Sequence, residues 1–267
     1  MPASFSEPLR LNYLQYSVTS TRQQLQTVIR VLEPDDLHNI EHPRVVYLLP
    51  STPELSHRSG DGLDEALRDD LHNRYGMVFV APTYSDWPWM TDLPDQAMFQ
   101  QLMYFIDEVV PFIDSCYPSL PRLLVGYSKG GSAALQMLLR YPALFAAAAA
   151  FDSPVMKTRP DEWEMPYFWP NPEHFDDFAI PNLLRTRGAE LRGPARIALL
   201  GYGNFGQNPP EWSRDHLTAA HELLDELGIP HVYDNARYRA HRWDSGWLPE
   251  AVEALAGMTD PRTARGQ

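Results

Sequence analysis

The chain predicts an α/β architecture: a mostly parallel central sheet with an antiparallel N-terminal edge and helices on both faces. Three observations predict it. Short, continuously apolar runs recur along the chain, as strands covered on both faces require. Helical patterns fill the intervals between them, which is the order of βαβ units. No repeat, low-complexity tract or composition break divides residues 1–267, so one domain is expected.

The elements follow in order. Leu14 to Thr19 and Leu25 to Leu32 contain period-two and β-branched stretches, the mark of antiparallel strands with one wet face. The apolar runs are Val45 to Leu49, Met77 to Ala81, Leu123 to Gly126, Ala146 to Phe151 and Arg196 to Leu200, and His231 to Asn235 supplies the last strand pattern. Helices are expected over Gly62 to Arg74, Gln96 to Cys116, Gly130 to Tyr141, Ser213 to Leu227 and Leu248 to Leu255. Residues 153–182 fit neither period. They hold Trp163, Tyr167, Phe168, Trp169, Phe175 and Phe178 among several prolines, and read as an aromatic lid or pocket insertion.

Composition excludes several classes. The sequence is 44% hydrophobic and 21% charged, ordinary for a folded globular chain. The longest apolar run, Leu144 to Phe151, is far too short to span a bilayer, and Met1 to Arg30 contains no apolar stretch behind a basic start. A cytoplasmic protein is the expectation. The net charge of −13, from 22 basic and 35 acidic residues, disfavours nucleic acid or an anionic membrane as partner. One cysteine, Cys116, leaves neither an internal disulfide nor a cysteine-based metal site. Prolines number 25 in 267 residues, nearly double the usual ~5%, and their scatter implies many defined loops.

The informative stretch runs from Leu123 to Ala134. It contains G-x-S-x-G, with Gly126, Ser128 and Gly130 in the defining places. By itself the pattern arises by chance in roughly one chain in ten of this length. Its setting makes it specific, because an apolar strand ends at the first glycine and a small-residue helix begins at the third. Such a turn forces the serine into strained backbone, lifts its hydroxyl clear of the sheet, and aims the positive end of the helix at it. Lys129, in the first turn of that helix, is either a solvated residue or an attractor of an anionic group.

A serine nucleophile needs a hydrogen-bonded base. Where this elbow occurs, the chain order is serine, acid, histidine. His216 and His221 lie on a polar helix and His231 opens the last strand. His241 lies in the loop between that strand and the last helix, followed by Trp243 and Trp247, and is the expected base. The acid has two candidates. The loop after Leu200 reads Gly201, Tyr202, Gly203, Asn204, Phe205 and carries no carboxylate. Asp152 ends the strand after the nucleophile strand and can reach the imidazole, whereas Asn204 would orient it without charge. Glu211 and Asp215 are more distant alternatives. For the oxyanion hole the expected donors are the N–H of Lys129 and that of Thr52, with Ser51 as the alternative, since Pro50 and Pro53 have no N–H.

These residues together resemble the esterase branch of the α/β-hydrolase superfamily, which includes esterase D, feruloyl esterases and mycolyltransferases. The resemblance rests on Leu48-Leu49-Pro50, on Phe79 to Tyr84, on the elbow from Gly126 to Gly131, and on His241 with Trp243 and Trp247. It covers most of the chain and implies an α/β-hydrolase fold with no metal or organic cofactor. It also implies a serine carboxylesterase acting on a small-molecule ester. Acyl transfer to an alcohol, or a catalytically silent binding fold, are the alternatives. The usual acid of the branch is matched here by Gly203 and Asn204. Tyr84, Trp87, Trp89, Met90, Tyr127 and Trp163 are the expected pocket residues.

Overall fold

The computed structural model describes residues 2–53, 59–160, 166–203 and 212–260. Among these residues ten strands form one sheet: β1 (Ser4–Phe5), β2 (Leu9–Arg10), β3 (Leu14–Thr19), β4 (Thr27–Leu32), β5 (Arg44–Leu49), β6 (Met77–Pro82), β7 (Arg122–Tyr127), β8 (Ala147–Phe151), β9 (Ile197–Tyr202) and β10 (His231–Tyr238). Their order is β1-β3-β4-β6-β5-β7-β8-β9-β10, with β2 on β3. The pairs up to β4–β6 are antiparallel and those from β6–β5 to β9–β10 are parallel. The predicted antiparallel edge is present, with β1 and β2 as two short additions whose two-residue length gives no periodicity to read.

Alternation along the parallel strands builds two cores. One face carries Val45, Tyr47, Leu49, Leu124, Ala148, Ala150 and Leu199. The opposite face carries Val46, Leu48, Leu123, Val125, Tyr127, Ala147, Ala149 and Phe151. Burial on both faces is why these strands read as unbroken apolar runs. The first face is covered by α3 (Gln101–Met103), a π-helical segment (Tyr104–Val109), α4 (Val110–Cys116), α5 (Lys129–Arg140), α7 (Ile180–Arg187) and α8 (Trp212–Glu226). The second is covered by α1 (Gly62–Arg68), α2 (Leu71–Tyr75) and α9 (Leu248–Met258).

Two expectations are corrected. The helix read from Gln96 begins at Gln101, because Asp92 Oδ1 accepts from the N–H groups of Leu102 (2.8 Å) and Met103 (3.2 Å) and sets its start. Within 153–182 lie α6 (Pro172–Phe178) and the start of α7, each with proline in its first turn. Asn171 Oδ1 caps α6 by accepting from His174 N–H at 2.8 Å. The prolines that hid these short helices from a periodicity reading are the residues that start them. Among the described residues no helix is long and apolar enough to cross a membrane.

Candidate active site

The parallel strands place their carboxyl ends along one edge of the sheet. Tyr127 and Phe151 are register partners on neighbouring strands, so the next residues, Ser128 and Asp152, leave the sheet side by side. The backbone N–H of Ser128 donates to the carbonyls of both Phe151 and Asp152 at 3.2 Å. Both residues have positive φ, 55° for Ser128 and 44° for Asp152, uncommon for residues other than glycine. Such backbone costs on the order of 1–3 kcal/mol per residue and persists where the surroundings enforce it.

The enforcement is visible around the elbow. A Cβ on Gly126 would lie 2.4 Å from the Gly130 carbonyl carbon, and one on Gly130 would lie 2.0 Å from Leu49 O. Both glycines of the motif are therefore needed for close approach. The Ser128 carbonyl is held from two sides, by Ser132 N–H at 3.2 Å and by Ser153 Oγ–H at 2.5 Å. Ser153 carries no motif signature, and its role depends on β8 lying beside β7.

His241 Nδ1 lies 2.5 Å from Asp152 Oδ2, with the carboxylate side chain only 2% exposed. Among the described residues Asp152 is the acid candidate that meets the imidazole; Asn204, Glu211 and the pocket candidate Trp163 lie outside the described residues. A Cβ on Gly203 would sit 2.0 Å from Asp152 Oδ2. The carboxylate thus occupies the space that a side chain after β9 would fill, and residue 203 is glycine for that reason. Replacing Gly203 with alanine is expected to displace the carboxylate and lower kcat for ester hydrolysis by about 10–100-fold. The loss should vanish on an Asp152→Asn background, as a double-mutant cycle would read. Equal losses in both backgrounds would show that Gly203 acts elsewhere.

The imidazole rests edge-on against Tyr127, with ring centroids 5.0 Å apart. Tyr127 in turn meets Trp243 at 5.2 Å, and Trp247 stacks on Phe151 at 4.9 Å. Trp247 Nε1–H donates to Arg242 O at 3.0 Å and so ties down the loop that carries His241. The two tryptophans after the histidine therefore form the base of its support. Tyr127 is 1% exposed and faces the core on the α9 side, so it supports the histidine and does not line a pocket. Alternation along β7 decides this, because Tyr127 points away from the face that α5 covers. Its hydroxyl is hydrogen-bonded to Ser51 and Ser59, tying the 50–53 loop to the elbow.

Thr52, the expected second oxyanion donor, sits in that loop, whose Leu49–Pro50 backbone packs directly on Gly130. Lys129 opens α5, where the first N–H groups have no partner within the helix. The Lys129 ammonium lies 4.6 Å from the Trp87 ring centre and 5.1 Å from that of Trp89. Burial lowers its pKa to about 8. Cation–π contacts contribute about 0.5–2 kcal/mol, less than the several kcal/mol that desolvating an ammonium costs.

The other pocket expectations divide. Trp87 is 44% exposed at the rim, while Trp89 is buried. Tyr84 and Met90 are core residues, Tyr84 packing edge-on against Tyr104 at 5.4 Å. Aromatic side chains pack cores as readily as pockets, and sequence carries no sign of which way a loop folds back. Phe168, Trp169, Phe175 and Phe178 are likewise buried. Trp169, Phe175 and Phe178, with Trp89, Gln136 and Lys157, wall a cavity of about 20 Å³, the size of one water.

His216, His221 and His231 belong elsewhere. His216 Nδ1 accepts from Met156 N–H at 3.0 Å, and burial followed by the Lys157 charge pushes its pKa down to about 4. His221, Asp225 and His231 group closely enough to hold a metal ion. They lie where β10 begins, at the opposite edge of the sheet from Ser128, and His221 Nδ1 and His231 Nε2 are hydrogen-bonded at 2.8 Å.

Residues 27–219 match the family described as "Putative esterase". The chain belongs to this esterase family of α/β hydrolases. Solved structures of the same fold include a ferulic acid esterase, 18% identical, covering 97% of this chain and 99% of its own, with a TM-score of 0.68. An S-formylglutathione hydrolase from Agrobacterium tumefaciens is 15% identical over 97% of this chain and 100% of its own, at 0.70. FphF, a fluorophosphonate-binding serine hydrolase of Staphylococcus aureus, is 14% identical over 97% and 100%, at 0.66. No curated protein matches the chain by sequence. At these identities the structural likeness is one of fold, and it places an esterase family member on an α/β-hydrolase scaffold.

Proposed function

We propose that the protein is a serine carboxylesterase acting through an acyl-serine intermediate, with Ser128, His241 and Asp152 as its catalytic triad. The observation that carries this reading is the Asp152–His241 hydrogen bond beside a strained serine at a G-x-S-x-G elbow. With Nδ1 on the carboxylate, Nε2 is the nitrogen that takes the Ser128 proton as Oγ attacks the ester carbonyl. The oxyanion is met by the N–H groups of Lys129 and Thr52, and each such donor contributes about 10²–10³-fold. Collapse of the tetrahedral intermediate breaks the ester C–O bond. The imidazolium returns its proton to the leaving alkoxide, and an acyl-serine remains. Water, deprotonated by the same imidazole, then releases the carboxylic acid.

A buried carboxylate on the imidazole weakens the alternative of a silent binding fold, whose support was the carboxylate missing after Leu200. Acyl transfer to an alcohol uses the same first half-reaction and differs only in the second acceptor.

The test is covalent labelling. A fluorophosphonate probe should attach to the native protein at one site, mapped to Ser128 by peptide mass analysis, and the Ser128→Ala variant should remain unlabelled. Absence of any adduct on Ser128 in folded protein would overturn the assignment.

A further inference from the structure

The esterase reading accounts for the backbone N–H of Lys129 but not for its side chain. That side chain follows the nucleophile directly, and its ammonium lies over the rings of Trp87 and Trp89. Among the described residues it makes no hydrogen bond and no ion pair; its contacts are the two indole faces. Trp87 is exposed and Trp89 is buried, so the ammonium sits where the rim meets the interior. A second ammonium, that of the buried Lys157, lies 3.9 Å from the Trp89 ring centre. Asp86, next to Trp87 in sequence, has its carboxylate engaged by Trp87 N–H at 2.7 Å and by the Tyr167 hydroxyl. Two ammonium groups, those of Lys129 and Lys157, thus lie against the Trp89 ring in a protein whose net charge is −13.

A largely buried cation with no counter-ion among the described residues is costly, and functional sites are where such groups are retained. We propose that the active site takes esters bearing a carboxylate or phosphate close to the scissile carbonyl, with Lys129 as the anion-binding side chain. This rests on the serine-esterase reading above and names its substrate class. Trp87 and Trp89 hold the ammonium by their faces, which leaves its hydrogen-bond donors for the substrate anion. The bound anion would supply the ion pair that Lys129 lacks among the described residues, and a neutral ester would not.

The anion can come from either side of the ester bond, and two matched pairs separate these sources. On the acyl side, 4-nitrophenyl hemiglutarate is compared with 4-nitrophenyl pentanoate. On the alcohol side, O-acetyl-lactate is compared with its methyl ester. In the native enzyme the anionic member of at least one pair should have a kcat/KM about tenfold or more above its neutral counterpart. Lys129→Met should abolish that ratio and Lys129→Arg should retain most of it. Raising ionic strength from 0.05 to 0.5 M should lower the ratio in the native enzyme, a readout that needs no variant. A native ratio of one or less in both pairs overturns the proposal while leaving the esterase reading intact, as does a ratio that survives Lys129→Met or is insensitive to salt. Failure to turn over all four esters, with no fluorophosphonate adduct on Ser128, overturns the esterase reading itself.

Discussion

Replacing Ser128 with alanine is expected to lower kcat/KM for a small activated ester by about 10⁴–10⁶-fold, while the protein stays folded. The residual rate would come from binding and from the oxyanion donors, which the substitution leaves in place. The backbone provides a control. Ser128 has φ 55° and ψ −128°, a conformation that glycine adopts without the penalty a Cβ brings. Ser128→Gly should therefore be as inactive as Ser128→Ala but melt at a higher temperature, since strain of about 1–3 kcal/mol is relieved. Steady-state kinetics with 4-nitrophenyl acetate and a thermal melt of each variant measure both effects. Activity within tenfold of native in Ser128→Ala would remove the nucleophile from this account, and equal melting of the two variants would remove the strain.

The second large effect concerns the acid. Asp152→Asn preserves size beside Gly203, and asparagine tolerates the positive φ of 44° at this position. What changes is the hydrogen bond to His241 Nδ1. An amide that presents its NH₂ to the ring stabilises the tautomer with the proton on Nε2, where it cannot accept from serine. Loss of the carboxylate also removes support for the imidazolium. A fall of about 10⁴-fold in kcat with little change in KM is expected. Asn204→Ala, at the position where the family resemblance puts an acid, should cost far less. If the asparagine-to-alanine change gave the larger loss, the acid would have to be reassigned to the loop after β9.

The fold was legible from the chain because its signal is local. Apolar runs of four to six residues, interrupted by helical periods, mark strands buried on both faces, and the elbow glycines mark a strand-to-helix turn by their spacing alone. Where local signals were short or crowded with proline, as at β1, β2 and α6, they failed. In each case the element is set by a cap, a proline at the first turn, or pairing with β3.

The candidate nucleophile and base come from sequence alone, Ser128 from its glycines and His241 from its place between the last strand and the last helix. The choice between Asp152 and Asn204 does not, since both follow strands whose ends reach the same edge. Tertiary structure favours Asp152 through register: β8 pairs with β7 so that Asp152 leaves the sheet beside Ser128, and its carboxylate, bonded to His241, fills the place where residue 203 would have a side chain. The aromatic residues divided for a similar reason. Sequence shows that Tyr84, Tyr127 and Trp89 are large and apolar, but only the packed loops and the strand alternation decide which of them face core, histidine or cavity. Chemistry that one short segment contains can be read from order and spacing; a contact between segments far apart in the chain depends on how strands align and side chains exclude one another, and no single segment records that.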